Sequence, residues 1–572
     1  MNLKELNNML SSNKHKMLLL IIIFFSMTFS IYCGEPVQAA NGMVVTANEL
    51  ATKVGVDILK KGGNSIDAAV GVGFALAVTF PTAGNIGGGG FMVIHLSEGT
   101  NTTIDFRETA PSAAFEKMYL DKEGNYIPNS SQEGWLSSGV PGTVAGLNYV
   151  LNKYGTMKLR DVIQPAIDLA ENGFVLDIKT AAQLNSGFES FSLIISSAKI
   201  FTNKGEKFKE GDLFVQAELA ATLKTIRDKG AADFYNGSIA DKFIEQSKLN
   251  GGIFTRNDLK NYRAVERKPV TGSYHGYDII SMPPPSSGGV CLIEALNVLE
   301  NYSLPKNIFN SSDYLFHLVE TMKRIYADRS ELLGDPDFYN VPVGFLTSKG
   351  YAKKIAEAIG DTAVPSSQIK AASQVRYESN ETTHYSIVDK EGNAVSTTYT
   401  LNGGFGNKIV VDGLGFLLNN QMDDFSAKPG LPNQYGLIGS KANSIQPNKR
   451  MLSSMTPTIV LKDGYPFLIV GTPGGSTIIT CVLQVIINVL DFKMNIFDAI
   501  EKPHIHHQWL PDKIDYEEGA LTPGVIEDLK KRGEKLNKVE SLGRVEGIII
   551  DPVSKIINGA SDPRGFGKAE GY

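Results

Sequence analysis

Glu381-Thr382-Thr383-His384-Tyr385-Ser386 admits two readings, and the architecture assigned to all 572 residues depends on which holds. A polar segment, Ser373 to Glu381, precedes the two threonines, and a strand-like run, His384 to Val388, follows them. Asp389-Lys390-Glu391-Gly392-Asn393 has the composition of a turn, and Ala394 to Leu401 reads as a second strand. One reading is a β-hairpin that begins with threonines because β-branched residues suit strands. The other is chemical. A threonine becomes a nucleophile when its own freed α-amine acts as the base. That amine has an unperturbed pKa of about 7.7–8.0, close to its working state at neutral pH. This reading requires a cut before Thr382, and nothing within the stretch itself demands one.

Working outward, the chain is long enough for a large core, and its hydrophobic (42%) and charged (20%) fractions are ordinary for a soluble protein. A net charge of -6 gives no nucleic-acid footprint, so no nucleic-acid partner is expected. Lys14-His15-Lys16, the apolar run Met17 to Phe29 and the small residues of Val37-Gln38-Ala39-Ala40 together predict a secretory signal over residues 1–39. Cleavage near Ala39 or Ala40 would leave an exported protein, periplasmic or secreted. The apolar run is shorter than the roughly 20 residues of a membrane span, so no stable span is expected after cleavage. Cys33 follows the bulky Tyr32, which disfavours lipid attachment there. Cys291 and Cys481 lie far apart in apolar settings and read as buried free thiols.

Helical spacing and stop signals predict helices over Asn48–Lys61, Ser65–Val78, Gly139–Tyr154, Leu159–Glu171, Gln216–Asp228, Ser238–Leu249, Val290–Leu299, Ser312–Leu333, Lys349–Ile359 and Thr477–Leu490. Strands are expected over Ser273–Met282 and Phe416–Leu418, and a hairpin over Thr458–Leu461 and Pro466–Gly471 around Lys462-Asp463-Gly464. The glycine run from Gly84 to Gly90 leads into a strand, where close backbone packing explains it better than a phosphate cradle. Pro429 to Asn448, rich in Gly, Pro and Asn with Tyr435 in its middle, is too long for a routine connection and reads as a lid. Strands and helices in mixed order suggest stacked sheets covered by helices.

Several residues could carry chemistry. Arg107, at a strand end, is either an ordinary ion-pair partner or a two-point grip on a carboxylate. Gly474-Gly475, before a helix, is either a tight turn or a pair of N–H donors for an oxyanion. Asp423-Asp424 could be two solvated acids, a calcium pair or an ammonium anchor, and Asn402 could simply cap a turn. Ser453-Ser454 is uninformative alone. His504 and His506 would share a strand face, as two metal ligands could; with His507 they lack an acid or cysteine at customary spacing, so packed or hydrogen-bonded histidines are expected. Together these groups suit an amino acid. Arg107 would take its α-carboxylate, Asp424 with Asn402 and Gln421 its ammonium, the glycines an oxyanion, and a threonine would attack.

These motifs resemble those of the γ-glutamyltransferases (glutathione hydrolases), within the N-terminal-nucleophile hydrolases. The resemblance rests on Gly62-Gly63-Asn64-Ser65-Ile66-Asp67, Gly84 to Phe91, Asp105-Phe106-Arg107-Glu108, Met282 to Gly289, Thr382 to Ser386, Asn419 to Phe425, Leu452 to Met455, Gly474-Gly475-Ser476 and Gly559 to Arg564. It covers essentially everything after the expected signal. It implies an α+β fold, a four-layer αββα sandwich, made from one precursor that cuts itself between Glu381 and Thr382. The large subunit would be residues 40–381 and the small catalytic subunit 382–572, intertwined as a heterodimer in one compact unit. The resemblance implies Thr382 as nucleophile and Thr400 as the second threonine bonded to it. It implies Arg107 and Ser453 on the α-carboxylate, and Asn402, Gln421 and Asp424 on the α-amine. Ser454 would line the glutamyl pocket, Gly474 and Gly475 would form the oxyanion hole, and Tyr435 would sit on a lid that only some members have. No cofactor and no metal is implied. The implied reaction passes a γ-glutamyl group from a compound such as glutathione to Thr382, then to water or an amine. Two alternatives stand beside it. One is an exported poly-γ-glutamate depolymerase or transferase, against which the lid around Tyr435 argues. The other is an uncut, inactive amino-acid-binding protein.

Overall fold

The computed structural model describes residues 34–303, 308–369, 382–428 and 430–572. The basic and apolar run expected to be a signal, Cys33, the segment Ser373–Glu381 and therefore the Glu381 side of the expected cut lie outside these residues. Two seven-stranded sheets organise the rest. Their strands, in chain order, are β1 (Val37–Ala39), β2 (Met43–Thr46), β3 (Gly89–His95), β4 (Asn101–Asp105), β5 (Val265–Arg267), β6 (Val270–Tyr274), β7 (Tyr277–Ser281), β8 (Thr383–Val388), β9 (Ala394–Thr400), β10 (Thr458–Lys462), β11 (Tyr465–Gly471), β12 (Glu546–Ile550), β13 (Ile557–Ser561) and β14 (Lys568–Gly571). The first sheet runs β14-β2-β8-β9-β3-β4-β5 and the second β1-β13-β12-β11-β10-β7-β6. The hairpin β8–β9, which follows Thr382, lies in the middle of the first sheet between β2 and β3. Strands from before and after residue 382 thus interleave in one sheet, and β7 joins β10 in the other.

Side-chain parity explains the layering. Successive strand residues point to opposite faces. Tyr385, Ile387, Val395 and Tyr399 join Val44, Met92 and Ile94 in one core with α1 (Glu49–Lys60) and α2 (Ser65–Thr79). Val388 and Ala394 join Met43, Phe91 and Val93 in a second core, with β10, β11, α3 (Gly288–Leu299), α4 (Ser312–Leu332) and α5 (Thr477–Leu490). The order is therefore helices, sheet, sheet, helices, with β8 and β9 buried on both faces. The space between the sheets also holds polar groups that bond one another. His384 Nδ1 meets Thr398 Oγ1 at 2.8 Å and its Nε2 meets Ser386 Oγ at 3.0 Å, while the Ser396 hydroxyl donates to Val470 O. Burial pushes the His384 pKa down to about 3, so the ring is neutral at physiological pH. Thr382 and Thr400 have the same parity as His384 and Thr398, which turns both threonines toward the second sheet.

The local signals largely do what their chemistry requires. Asn48 and Asn64 cap α1 and α2, the latter in a full capping box with Asp67. The glycine run is a close backbone approach: a Cβ on Gly88 would lie 2.1 Å from Thr400 O, and one on Gly89 2.5 Å from Phe106 O. Three expectations fail. The helix expected from Gly139 begins at Thr143, because Val140 bridges to Thr109 and Gly142 N–H donates to Gly88 O. Ser273–Met282 is not one strand; β6 and β7 turn back at His275-Gly276, both at positive φ (48° and 79°). Phe416–Leu418 forms only an isolated bridge, Val410 to Leu417. Val37–Ala39, just before the expected signal cut, pairs with β13 at the sheet edge. Cys291 and Cys481 are buried free thiols. Among the described residues no helix is long and apolar enough to cross a membrane.

Candidate active site

The β8–β9 register pairs Thr383 with Tyr399, which sets Thr382 beside Thr400 at the hairpin's open end. Their hydroxyl oxygens are 3.4 Å apart, and Thr400 Oγ1 also accepts the Asn402 N–H at 2.9 Å. Asn402 sits at φ +80°, a left-handed conformation that asparagine tolerates better than most residues, and its side-chain amide donates to Asn420 O.

Arg107 follows the end of β4 and is fully buried. Its guanidinium donates to Asp424 Oδ2 and reaches the Met451 and Leu452 carbonyls at 3.4 Å. Gln421 Nε2 donates to the same Asp424 oxygen at 2.8 Å, and Asn433 Nδ2 to Oδ1 at 3.0 Å. Glu108, also buried, lies 3.8 Å from Arg107 Nη1. Burial drives its pKa up to about 7, opposed by the Arg107 charge and assisted by Asp424. Asp423 and Asp424 are not solvated acids. Asp423 turns away to accept from Ser131 Oγ and Gln434 N–H, and burial raises its pKa to about 6. Asp424 faces the cavity.

The loop before α3 fixes the serines. Ser453 N–H donates to Pro285 O, Ser287 N–H to Ser453 O, and Ser286 Oγ to Met455 O. Arg329, from the buried side of α4, then donates to Ser287 Oγ at 2.9 Å and Ser454 Oγ at 3.0 Å. The sequence reading missed Arg329: it sits within a charged helix face, and only tertiary packing brings it to Ser454.

One cavity gathers Thr382, Thr400, Asn402, Arg107, Gln421, Asp424, Ser453, Ser454, Tyr435 and Gly475, together with Arg329, and measures about 20 Å³. That is room for roughly one water. Tyr435 closes it. Its ring is buried against Gly475, where an added Cβ would come within 2.6 Å of Cδ1, and its hydroxyl donates to Asn402 O. Gly475 has φ +53°. Gly474 is the one expected site residue that does not line this cavity. It borders a neighbouring space of about 210 Å³ with Glu540 and Arg544. The histidine trio is bonded within the core rather than gathered here: His504 Nδ1 meets Arg564 Nη1, His506 lies between Thr480 and Gln508, and His507 Nδ1 accepts from Trp509 N–H.

A buried threonine pair, a paired arginine and carboxylate, and a glycine before a helix form an arrangement suited to acyl transfer from an amino acid. Comparison with known proteins agrees. The family model for gamma-glutamyltranspeptidase matches residues 51–572. The chain is 51% identical over 532 residues to a glutathione hydrolase proenzyme of Escherichia coli (strain K12), covering 93% of this chain and 91% of that protein. It is 52% identical to the solved gamma-glutamyltranspeptidase of Helicobacter pylori, covering 57% of this chain and 94% of that chain with a TM-score of 0.56. The cephalosporin acylase of Bacillus halodurans, 26% identical, superposes over 94% of this chain and 97% of that chain with a TM-score of 0.84. A match of this length places the protein in the γ-glutamyltranspeptidase family.

Proposed function

We propose that the protein hydrolyses γ-glutamyl compounds such as glutathione and transfers their γ-glutamyl group to amines, after cutting itself before Thr382. The observation that carries this reading is that Thr382 and the Arg107–Asp424 pair share one cavity. In maturation, Thr382 Oγ attacks the Glu381 carbonyl and the chain shifts from nitrogen to oxygen. Water then splits the resulting ester, leaving a carboxylate on Glu381 and a free amine on Thr382. In turnover the same hydroxyl gives its proton to that amine and attacks the γ-carbonyl. The leaving amine takes the proton, and a γ-glutamyl ester remains for water or an acceptor amine to resolve. The Gly475 N–H at the α5 end is the oxyanion donor this geometry favours, with Gly474 beside it.

The ion pair suits a zwitterion. A glutamyl α-carboxylate takes Arg107 and its α-ammonium takes Asp424, assisted by Gln421 and Asn402. One buried ion pair becomes two, and no charge is left unmatched. Ser453 and Ser454 complete the carboxylate side, and Arg329 orients Ser454. Residues 40–381 and 382–572 would remain together because their strands interleave, and the N-terminal segment would direct export. The closed Tyr435 lid favours small donors over polymers.

Purified protein incubated with glutathione, with and without a dipeptide acceptor, tests the reading. Release of glutamate alone and transfer product with acceptor are expected, with the small fragment starting at Thr382. An uncut protein without either activity would refute it.

A further inference from the structure

Tyr435 is held at its backbone N–H, which donates to Asn433 Oδ1 at 2.9 Å, and from three further directions. Its ring rests on Gly475, its hydroxyl donates to Asn402 O, and its carbonyl accepts from Gln508 Nε2 at 3.2 Å. The last contact ends a buried polar chain. Only the NH₂ side of the Gln508 amide can donate to a carbonyl, so its Oε1 faces His506 Nε2, 2.9 Å away, and accepts that N–H. His506 Nδ1 is then an acceptor for the Thr480 hydroxyl at 2.8 Å, a proton for which Thr477 O, 3.0 Å away, competes. Thr480 lies in the first turn of α5, the helix that starts just after Gly474-Gly475-Ser476. All four residues are buried, and the His506 ring also packs edge-on against Tyr326 with centroids 5.7 Å apart.

The chain links the lid to the helix that presents the glycine pair. Its polarity requires one side chain offering a donor at one end and an acceptor at the other, which glutamine supplies and methionine or glutamate does not. Tyr435 lines the same cavity as Thr382 and the Arg107–Asp424 pair, so where its ring sits bears directly on access to the nucleophile. We propose that Gln508 is a positioning residue that seats Tyr435 over Gly475 and sets the open fraction of the lid. Its effect on turnover rests on the proposed function; its effect on the lid does not.

Chymotrypsin cleavage after Tyr435 reads the open fraction, because a buried tyrosine is cut only when the segment opens. The protein is assayed as purified, with Gln508→Met, Gln508→Glu and Thr480→Val beside it. Gln508→Met matches the length but has no donor. Gln508→Glu keeps an acceptor for His506 but turns an oxygen onto the Tyr435 carbonyl. Both should be cut about five-fold faster after Tyr435, the equilibrium factor for one hydrogen bond. Thr480→Val, at the far end, should show a smaller rise. In active protein, the two Gln508 variants should also hydrolyse a larger share of the γ-glutamyl ester at fixed acceptor concentration, because an open lid admits water. A wild-type cleavage rate after Tyr435 in every variant that folds overturns the proposal. So does equal acceleration at sites outside residues 430–444, which would mean general loosening. The protease arm needs no turnover, so a failed activity reading and a failed latch are distinguishable.

Discussion

Replacing Asp424 with asparagine changes one charge at nearly constant shape, and its effect can be worked from the contacts. The native carboxylate accepts from Arg107, Gln421 and Asn433. The asparagine NH₂ must face at least one of those donors, and Arg107 remains fully buried without its partner charge. Breaking a buried pair from one side costs about 3–5 kcal/mol. Glu108 softens the loss. The Asp424 charge is one reason its pKa stands near 7, so removing that charge lowers it, and Glu108 ionises 3.8 Å from Arg107. The expected stability loss at pH 7 is therefore about 2–3 kcal/mol, below the usual range for an uncompensated charge. Catalysis responds separately. A donor with a free α-amine loses a charge-assisted contact of about 1.5–3 kcal/mol, or roughly 10–150-fold in kcat/KM. An N-acetylated γ-glutamyl donor never had that contact and should lose far less. The assay pairs denaturant melts with kcat/KM for both donors on matured protein. Equal losses for the two donors would refute Asp424 as the ammonium anchor, and unchanged stability would refute the account of the ion pair.

Thr382→Ala should leave the chain whole on a denaturing gel and abolish turnover, whereas Thr383→Ala should still cut; a Thr382→Ala protein that matures and hydrolyses glutathione contradicts the assignment. Arg107→Ala should raise the apparent KM for glutathione at least ten-fold, a loss of about 1.5 kcal/mol or more, and leave cutting intact, as shown by kinetics and gel. Gly475→Ala places a Cβ 2.6 Å from Tyr435 Cδ1 at φ +53°, so the ring must move and the backbone alone costs about 1 kcal/mol. A kcat within two-fold of wild type would count against Gly475. His384, held near pKa 3 by burial against an ordinary 6.5, is a depressed base. Its contribution is present above pH 6.5 and is lost as pH falls toward 3, because the unfolded chain takes up the proton first. The stability gap between wild type and His384→Gln should narrow by about 2–3 kcal/mol between pH 7.5 and 4.5, and a constant gap would mean that the ring protonates in place.

The part of this site that could be read directly from residues is the part that lies within one hairpin. Asp389 to Asn393 fixes the turn, the turn fixes the register, and the register brings Thr382 to Thr400 across 18 positions. The flanking helices were equally legible, since Asn48 and Asn64 announce their caps. The His275-Gly276 turn was not, because a lone glycine inside a strand-like run reads equally as a bulge or a close backbone approach. Contacts between layers leave no spacing to read. Arg107 meets Asp424 across 317 positions, Arg329 meets Ser454 across 125, and Gln508 meets Tyr435 across 73. The first was foreseen only as two ends of one zwitterion, each matched to opposite charge, and not as an ion pair. The other two offered no charge argument: Arg329 looked like one cation among several on α4, and Gln508 is a neutral amide beside three histidines that drew attention to metals. The same parity that faces Thr382 toward the second sheet places it in one cavity with residues from α4, the loop before β10 and the lid. A nucleophile buried between two sheets therefore takes its in-sheet partner from the hairpin and every remaining contact from the packing of layers, and it is the second group that only the folded chain reveals.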